Sequence, residues 1–204
     1  MQIVASIFSV MIMIIGMMFV AFELKTKDSK TLSIVAMLSS LSAASRIFFA
    51  PLAQVTPSDW ITFSGGFCFG LSAGFVIGTL TILISNFVLG HGAWTIFQIV
   101  GLGLIGIIGG LIGKLTRKWK VKSYSLLLAA CAFLYDYITN IWFLLFLPYP
   151  KTLEWYLIIC VLGFKFDMMH AIGNFLFMYF FSENTINILE RYRTKANIIP
   201  DLQA

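Results

Sequence analysis

The sequence predicts an all-α integral membrane protein: a compact bundle of six core transmembrane helices with one extra N-terminal transmembrane helix. Three observations predict this class, namely an apolar composition, apolar runs of membrane-spanning length, and basic clusters between those runs. Of the 204 residues, 59% are hydrophobic and 11% are charged, whereas soluble domains carry about 25% charged residues. A soluble fold of this length could not bury so much apolar surface, so soluble classes are excluded.

Five apolar runs have the length that one helix needs to cross the hydrocarbon core, about 20 residues. They cover residues 3–24, 31–50, 96–113, 124–147 and 155–181. A further run at 57–90 is too long for one span and short for two. The apolar pattern alone therefore leaves the number of spans open between six and seven.

The basic residues decide how the run at 57–90 crosses the membrane. They cluster at Lys25, Lys27 and Lys30, at Lys114, Arg117, Lys118, Lys120 and Lys122, and at Arg191, Arg193 and Lys195. Cytoplasmic loops collect Lys and Arg, so all three clusters should lie inside. This requires two crossings and predicts short helices at 58–70 and 71–89. The predicted protein has seven spans in the cell membrane, with its N-terminus outside and its C-terminus cytoplasmic.

The predicted bundle forms one domain with three parts along the chain. Residues 1–30 form the extra N-terminal helix and a cytoplasmic loop, 31–182 the six-helix core, and 183–204 a polar cytoplasmic tail. The first run has no basic residue before it and no small-residue cleavage site, so a cleavable signal peptide is not expected. The cysteines, Cys68, Cys131 and Cys160, lack metal-site spacing, and we expect no metal and no cofactor.

Small residues recur every four positions in three of the predicted spans. The stripes are Gly66, Gly70, Gly74 and Gly78 in the paired short helices, and Ala36, Ser40 and Ala44 in the second helix. Such stripes let helix backbones approach closely in lipid. The glycines favour packing inside the bundle. The second stripe fits either internal packing or docking of a partner helix.

Polar side chains lie deep inside the last two spans. They are Asp136 and Asn140 in the sixth span, and Lys165, Asp167, His170 and Asn174 in the seventh. Their spacing places each group on one helix face, and we expect both faces to point into the bundle. One interpretation is a polar ligand cavity. The other is a structural network in which Lys165 pairs with Asp136 or Asp167.

A membrane enzyme that uses Asp136, Asp167 and His170 is an alternative of another class, and a scaffold with buried charges is a third. The chain has no second intramembrane histidine with paired glutamates, no Gly-x-Ser-x-Gly elbow and no His-Glu-x-x-His, so known hydrolase signatures are missing. It also has no P-loop with which to use ATP itself. We therefore expect a non-enzymatic protein with no catalytic residues.

Four features resemble the substrate-binding S components of energy-coupling factor (ECF) vitamin transporters, over roughly residues 31–181. They are a small-residue helix that ends in Arg46-Ile-Phe-Phe-Ala50, a loop with Pro51 and Val55-Thr-Pro57, the paired short helices, and Ser85-Asn86 before Gly90-x-Gly92-x-Trp94-Thr95-x-x-Gln98. The pattern Asp167-x-x-His170-Ala171-x-Gly173-Asn174 is similar to the last helix of the cobalamin-type subgroup. Family members usually have six spans, so the helix at 3–24 is extra.

The resemblance implies a subunit that binds its ligand from outside and docks onto a transmembrane T component, with two cytoplasmic ATPases that drive release inside. It implies that Ala36, Ser40 and Ala44 form the docking stripe. The implied ligand-site residues are Arg46, Asp59, His91, Trp94 and Gln98 at the outer mouth, and Asp136, Asn140, Asp167, His170 and Asn174 below it. Of these, His91, Trp94 and Gln98 are expected to form a gate over the ligand. Cobalamin is the first choice of ligand, while a smaller precursor, another vitamin or another small solute stays open. The other expected contact is membrane lipid, with no nucleic acid.

Overall fold

A computed structural model of the chain describes residues 2–25, 29–116, 118–148 and 150–195. This part of the chain is helical, with turns and one short 3-10 helix at Ala50–Leu52 between the helices. The helices are α1 (Gln2–Lys25), α2 (Ser29–Phe49), α3 (Ser58–Phe69), α4 (Leu71–Leu89), α5 (Trp94–Leu115), α6 (Val121–Phe146) and α7 (Leu153–Lys195). All except α3 are long and apolar enough to cross a membrane. The predicted helical membrane bundle is confirmed.

The run at 57–90 forms two helices, as the basic clusters predict. Gly70 separates α3 from α4 with a φ of 104°, a backbone region that glycine adopts without steric cost. The 12 residues of α3 span about 18 Å at roughly 1.5 Å per residue, which is less than a hydrocarbon core of about 30 Å. The start of α3 therefore lies within the bundle, where Ser58 and Asp59 are buried.

A hydrophobic cluster joins one end of α1 to α7. It includes Phe22 from α1, Val35 from α2 and Tyr124 from α6. Trp119, in the turn between α5 and α6, packs with its ring 4.8 Å from that of Tyr124 and donates a hydrogen bond from Nε1 to Ser182 Oγ at 3.2 Å. The described members of the three basic clusters border this cluster, so they share one end of the molecule. We call it the basic end.

Glycines set the closest contacts between α3, α4 and α5. A Cβ atom on Gly66 or Gly74 would overlap the backbone carbonyl of Gly106, and one on Gly106 would overlap the backbone of Gly74. A Cβ on Gly78 would lie 2.7 Å from the carbonyl oxygen of Leu102. The glycine stripe thus packs inside the bundle, which is the interpretation that the sequence favours.

We expect Gly106→Ala to lower the free energy of unfolding by about 1–3 kcal/mol, because its Cβ meets backbone that cannot rotate away. Gly16→Ala is the matched control, since nothing lies within 4 Å of the Cβ position at Gly16. Thermal melting of the detergent-solubilised variants measures the difference. Equal melting temperatures for both variants would contradict this account of the helix contacts.

The extra helix α1 packs on the outer faces of α4 and α5. The ring of Phe8 lies 5.9 Å from that of Phe97 in α5 and 5.7 Å from that of Phe146 in α6. Of residues 5–24, Phe22 alone is buried. The helix therefore lies at the periphery of the bundle, with most of its apolar surface open to lipid.

The last helix is longer than its predicted span. Its 43 residues measure about 65 Å at roughly 1.5 Å per residue, twice the hydrocarbon core. The sequence predicts a span that ends at residue 181 and a polar tail at 183–204 that can be helical at its start. The helix continues to Lys195, where Ile186 and Leu189 are buried in the cluster at the basic end. Residues 196–204 of the predicted tail lie outside the described residues.

Candidate functional site

Three ionisable side chains from three helices meet in the interior. His170 of α7 places Nε2 2.9 Å from Asp59 Oδ2 of α3, and Nδ1 3.0 Å from Asp136 Oδ2 of α6. Each of the three residues is only 2% exposed. We call these residues the trio. Each of the two contacts needs a proton to be a hydrogen bond, so the ring carries two protons or one carboxyl group is protonated.

Two further side chains hold Asp59 in place. Asn174 Nδ2 donates to Asp59 Oδ2 at 2.9 Å, and Ser58 Oγ donates to Asp59 Oδ1 at 3.0 Å. Asn174 lies one turn after His170, so the predicted common face of α7 points at α3. A carboxylate offers about four acceptor sites. With His170, these donors occupy three of them and leave Asp59 able to accept one more hydrogen bond.

The side chain that meets the buried carboxylates is His170 and not Lys165. The sequence also fits an ion pair of Lys165 with Asp136 or Asp167. Lys165 is exposed on the outer face of α7, and it forms no ion pair with either carboxylate among the described contacts. Its long apolar stem lets the ammonium group reach toward the membrane interface. The described contacts therefore do not support the interpretation in which Lys165 forms a structural ion pair.

A cavity of about 210 Å³ lies beside the trio. Asp59 and His170 line it, together with Arg46 at the end of α2 and Tyr135 of α6. The loop before α3 contributes further wall, from Gln54 to Thr56. The helix ends and loop that surround the cavity lie away from the basic end, so the cavity belongs to the opposite half of the bundle.

The loop along this cavity contains backbone strain. Ala53 and Gln54 adopt φ values of 40° and 71°, a left-handed region that residues other than glycine enter at a cost. Val55 packs against α7, where a Cβ on Gly173 would lie 3.0 Å from Val55 Cγ1. Strained residues concentrate at ligand clamps and switch regions, and here they stand at the edge of the cavity.

Arg46 contributes the positive charge of the cavity wall. Its NH1 group donates to Ser85 Oγ of α4 at 3.0 Å. Ser42 Oγ donates to the Ser58 carbonyl oxygen at 3.3 Å, which aligns this turn of α2 with the start of α3. Arg46 comes four residues later and so lies about 6 Å further along α2, at roughly 1.5 Å per residue. It is half-buried.

Asn86 ties the turn between α4 and α5 together. Its Nδ2 donates to Gln98 Oε1 at 2.8 Å and to Thr95 Oγ1 at 3.2 Å. The Gly92 backbone N–H donates to the same Thr95 hydroxyl at 3.2 Å. Hydrogen bonds thus join Asn86, Gly92, Thr95 and Gln98 of the motif and fix the turn.

None of the three predicted gate residues lines the cavity. His91 is exposed, with its ring 5.0 Å from that of Phe87, and Trp94 packs with its ring 5.3 Å from that of Trp142. The Gln98 side chain accepts the hydrogen bond from Asn86 Nδ2 at 2.8 Å. The roles of His91, Trp94 and Gln98 as a gate stay a prediction.

The predicted residues Asn140 and Asp167 form a separate polar group between α6 and α7. A Cβ on Gly163 would lie 3.6 Å from Asp167 Oδ1 and 3.9 Å from Asn140 Nδ2, so both side chains face the same glycine. Asn140 Nδ2 also lies 3.8 Å from Cys160 Sγ. Neither residue lines the cavity. Their direct contact with ligand stays a prediction.

The predicted docking stripe is exposed along α2. Ala36, Ser40 and Ala44 all face outward, and α1 leaves them uncovered because it packs on α4 and α5. The neighbouring Met37 and Leu41 are 52% and 56% exposed. The stripe is therefore a shallow groove between larger apolar side chains, and it does not pack inside the described bundle.

Sequence reasoning did not assign Tyr135 to the site. Its ring stands edge-on to the His170 ring, with the ring centroids 5.5 Å apart. Gly101 leaves room for the Tyr135 ring, since a Cβ atom at this position would lie only 2.7 Å from Tyr135 Cδ2. From the sequence, Tyr135 fits either an aromatic-lined pocket or a belt of aromatic residues at the membrane interface, and it is not among the predicted ligand-site residues. The available signal was its position next to Asp136, together with a glycine in a neighbouring helix.

Comparison with protein families identifies the chain over most of its length. The family described as "ECF transporter, substrate-specific component" matches residues 30–190. The match includes α2 to α6 and most of α7, and it leaves α1 outside. No curated protein and no solved structure matches the chain.

Proposed function

The chain belongs to the substrate-specific components of ECF transporters, and we propose that it captures a small vitamin or related micronutrient from outside the cell. It is a multi-pass membrane protein whose family works with a T component and ATPases. In this proposal, the chain delivers its ligand together with one T component and two cytoplasmic ATPase subunits.

The observation that carries the proposal is the cavity beside the trio. Asp59, His170 and Arg46 all line it, and each carries polar or ionisable atoms. Convergent polar groups in a concave site are typical of small-molecule binding sites. A purely structural network would need no cavity at this place, so the geometry favours a ligand site.

The cavity volume favours a ligand smaller than cobalamin. Its 210 Å³ falls below the range of about 300–1,000 Å³ that holds drug-sized ligands, and a corrin with its nucleotide loop is larger than those. Cobalamin would require the loop at 50–57 to move away from α7. Of the ligands that the motif resemblance leaves open, we therefore propose a small vitamin or a precursor fragment.

The arrangement argues against the alternative of an intramembrane enzyme. Both ring nitrogens of His170 are occupied by carboxylate oxygens, while Asp167 belongs to the separate group near Asn140. The three residues therefore do not face one common substrate position. The family also consists of transporter subunits. We propose that the chain binds and delivers its ligand without chemical change.

The proposed orientation places the basic end in the cytoplasm, because cytoplasmic loops collect Lys and Arg. Reporter fusions at Lys120 and after Arg193 are expected to read cytoplasmic, and a fusion near Gly92 is expected to read external. A cytoplasmic readout near Gly92 would place the cavity half of the bundle on the wrong side for uptake.

Native mass spectrometry of the protein released from membranes tests the ligand, and uptake with a T component and the two ATPases tests transport. We expect a bound small solute that is also imported. Asp59→Asn keeps the side-chain shape, removes the charge and should lose the solute. Lys151→Gln is the matched control, because Lys151 is exposed and does not line the cavity. Absence of both bound solute and uptake would reject the proposed function.

A further inference from the structure

The inner wall of the cavity has a net negative charge. The two contacts of His170 with Asp59 and Asp136, at 2.9 and 3.0 Å, require two protons in all. A neutral imidazole supplies one, and the second is bound either by the ring or by one carboxyl group. In both cases the trio consists of two carboxylates, a neutral imidazole and one additional proton. Its net charge is therefore −1.

The other charged wall is positive because Arg46 lines it. No described carboxylate forms an ion pair with Arg46, and its hydrogen bond to a neutral serine hydroxyl leaves other guanidinium donors free. Arg46 lies about 6 Å along α2 from the level of the start of α3. The cavity thus has opposite charges at two separated positions, with Tyr135 as part of the wall that they share.

The size of the cavity limits what can bridge these two positions. Its volume of about 210 Å³ lies below the range of about 300–1,000 Å³ that holds drug-sized ligands. This favours a single small ring with one or two substituents. The aromatic faces of Tyr135 and Phe49 suit such a ring.

We propose that the cavity selects a compact zwitterion. Its anionic group, a carboxylate or a phosphate, binds the Arg46 guanidinium, and its ammonium or protonated ring N–H donates to the open acceptor site of Asp59. This inference rests on the proposed function for the identity of the cavity as the ligand site, and it adds the charge pattern of the ligand. An arginine fork binds carboxylate and phosphate with two parallel hydrogen bonds.

Three probes with the same carbon skeleton test the charge pattern on the purified full-length protein. They are para-(aminomethyl)benzoate, which is a zwitterion, para-methylbenzoate, which has only the anion, and para-methylbenzylamine, which has only the cation. We expect the zwitterion to bind at least tenfold more tightly than either singly charged probe. Arg46→Gln should weaken both carboxylate probes by about tenfold to a hundredfold and leave the amine probe within twofold. Lys151→Gln should change none of the three affinities.

The proposal is overturned if the amine probe binds as tightly as the zwitterion, if Arg46→Gln leaves the carboxylate probes unchanged, or if no probe binds. The ranking of the three probes on the unaltered chain decides the matter even if Arg46→Gln does not fold. An imported solute without an anionic group would overturn this inference and leave the proposed function intact. Zwitterion selectivity without uptake would support the charge pattern and reject transport.

Discussion

Replacing His170 with alanine is expected to lower the free energy of unfolding by about 3–5 kcal/mol, the range for removing one partner of a buried charge network. The substitution leaves Asp59 and Asp136 in the interior without the donor that both contact, at 2.9 and 3.0 Å. Thermal melting in one detergent, read by circular dichroism, measures the loss. Ligand binding should be lost as well, because His170 lines the cavity.

The other histidine of the chain provides the control. His91 is exposed in the turn between α4 and α5, and exposed substitutions usually change stability by less than about 0.5 kcal/mol. The double variant His170→Ala with Asp136→Asn should regain part of the stability, because it removes one of the two unpaired carboxylates. If His170→Ala and His91→Ala have the same melting temperature, the trio contributes no net stability and its role is limited to ligand binding.

The second large effect is expected on transport. Ala36→Leu or Ala44→Leu should reduce uptake to background, because a branched side chain in the groove of α2 prevents close approach of a partner helix. Both alanines are exposed, so the folded subunit should accommodate leucine. Ligand binding by the isolated subunit should stay within twofold of the parent chain. Uptake in membranes that contain a T component and the ATPases is measured beside ligand titration.

An exposed alanine elsewhere separates docking from a general effect of added bulk. Ala130 faces outward from α6, and Ala130→Leu should retain uptake. A loss of uptake in this variant as large as in Ala44→Leu would mean that any added side chain on the surface disturbs the subunit. Loss of ligand binding together with uptake in Ala36→Leu would show that the stripe supports the fold of the bundle, contrary to its exposure.

The polar group of Asn140 and Asp167 between α6 and α7 shows what sequence spacing predicts about a helix face and what it does not. The sequence placed Asp136 with Asn140, and Asp167 with His170 and Asn174, on common faces. In the structure Asp136, His170 and Asn174 meet Asp59 or each other, whereas Asn140 and Asp167 face Gly163. Spacing locates a side chain on its own helix, but the partner depends on which turn of another helix lies opposite.

The sequence by itself determined the elements that depend on local chemistry. Apolar length and the basic clusters identify seven helices, and the glycine at position 70 divides the run at 57–90 between Phe69 and Leu71. Charged side chains are rare in lipid-exposed helices, whereas Lys and Arg collect in cytoplasmic loops. Composition alone therefore identifies the helices and the loops between them. The same holds for the glycine stripe, because only glycine permits the contact between Gly74 and Gly106.

Only the tertiary structure decided which charges meet and which surface stays open. Asp59 and His170 are 111 residues apart, and nothing in the spacing of either helix relates one to the other. The sequence placed Asp59 at the outer mouth with Arg46, but the short α3 begins inside the bundle and brings its first turn to α7. Lys165 lies five residues before His170, yet it points outward while His170 points inward. The packing of α3 against α6 and α7 determines which charged side chains are buried, because a buried carboxylate is stable only where another helix supplies its hydrogen-bond donors.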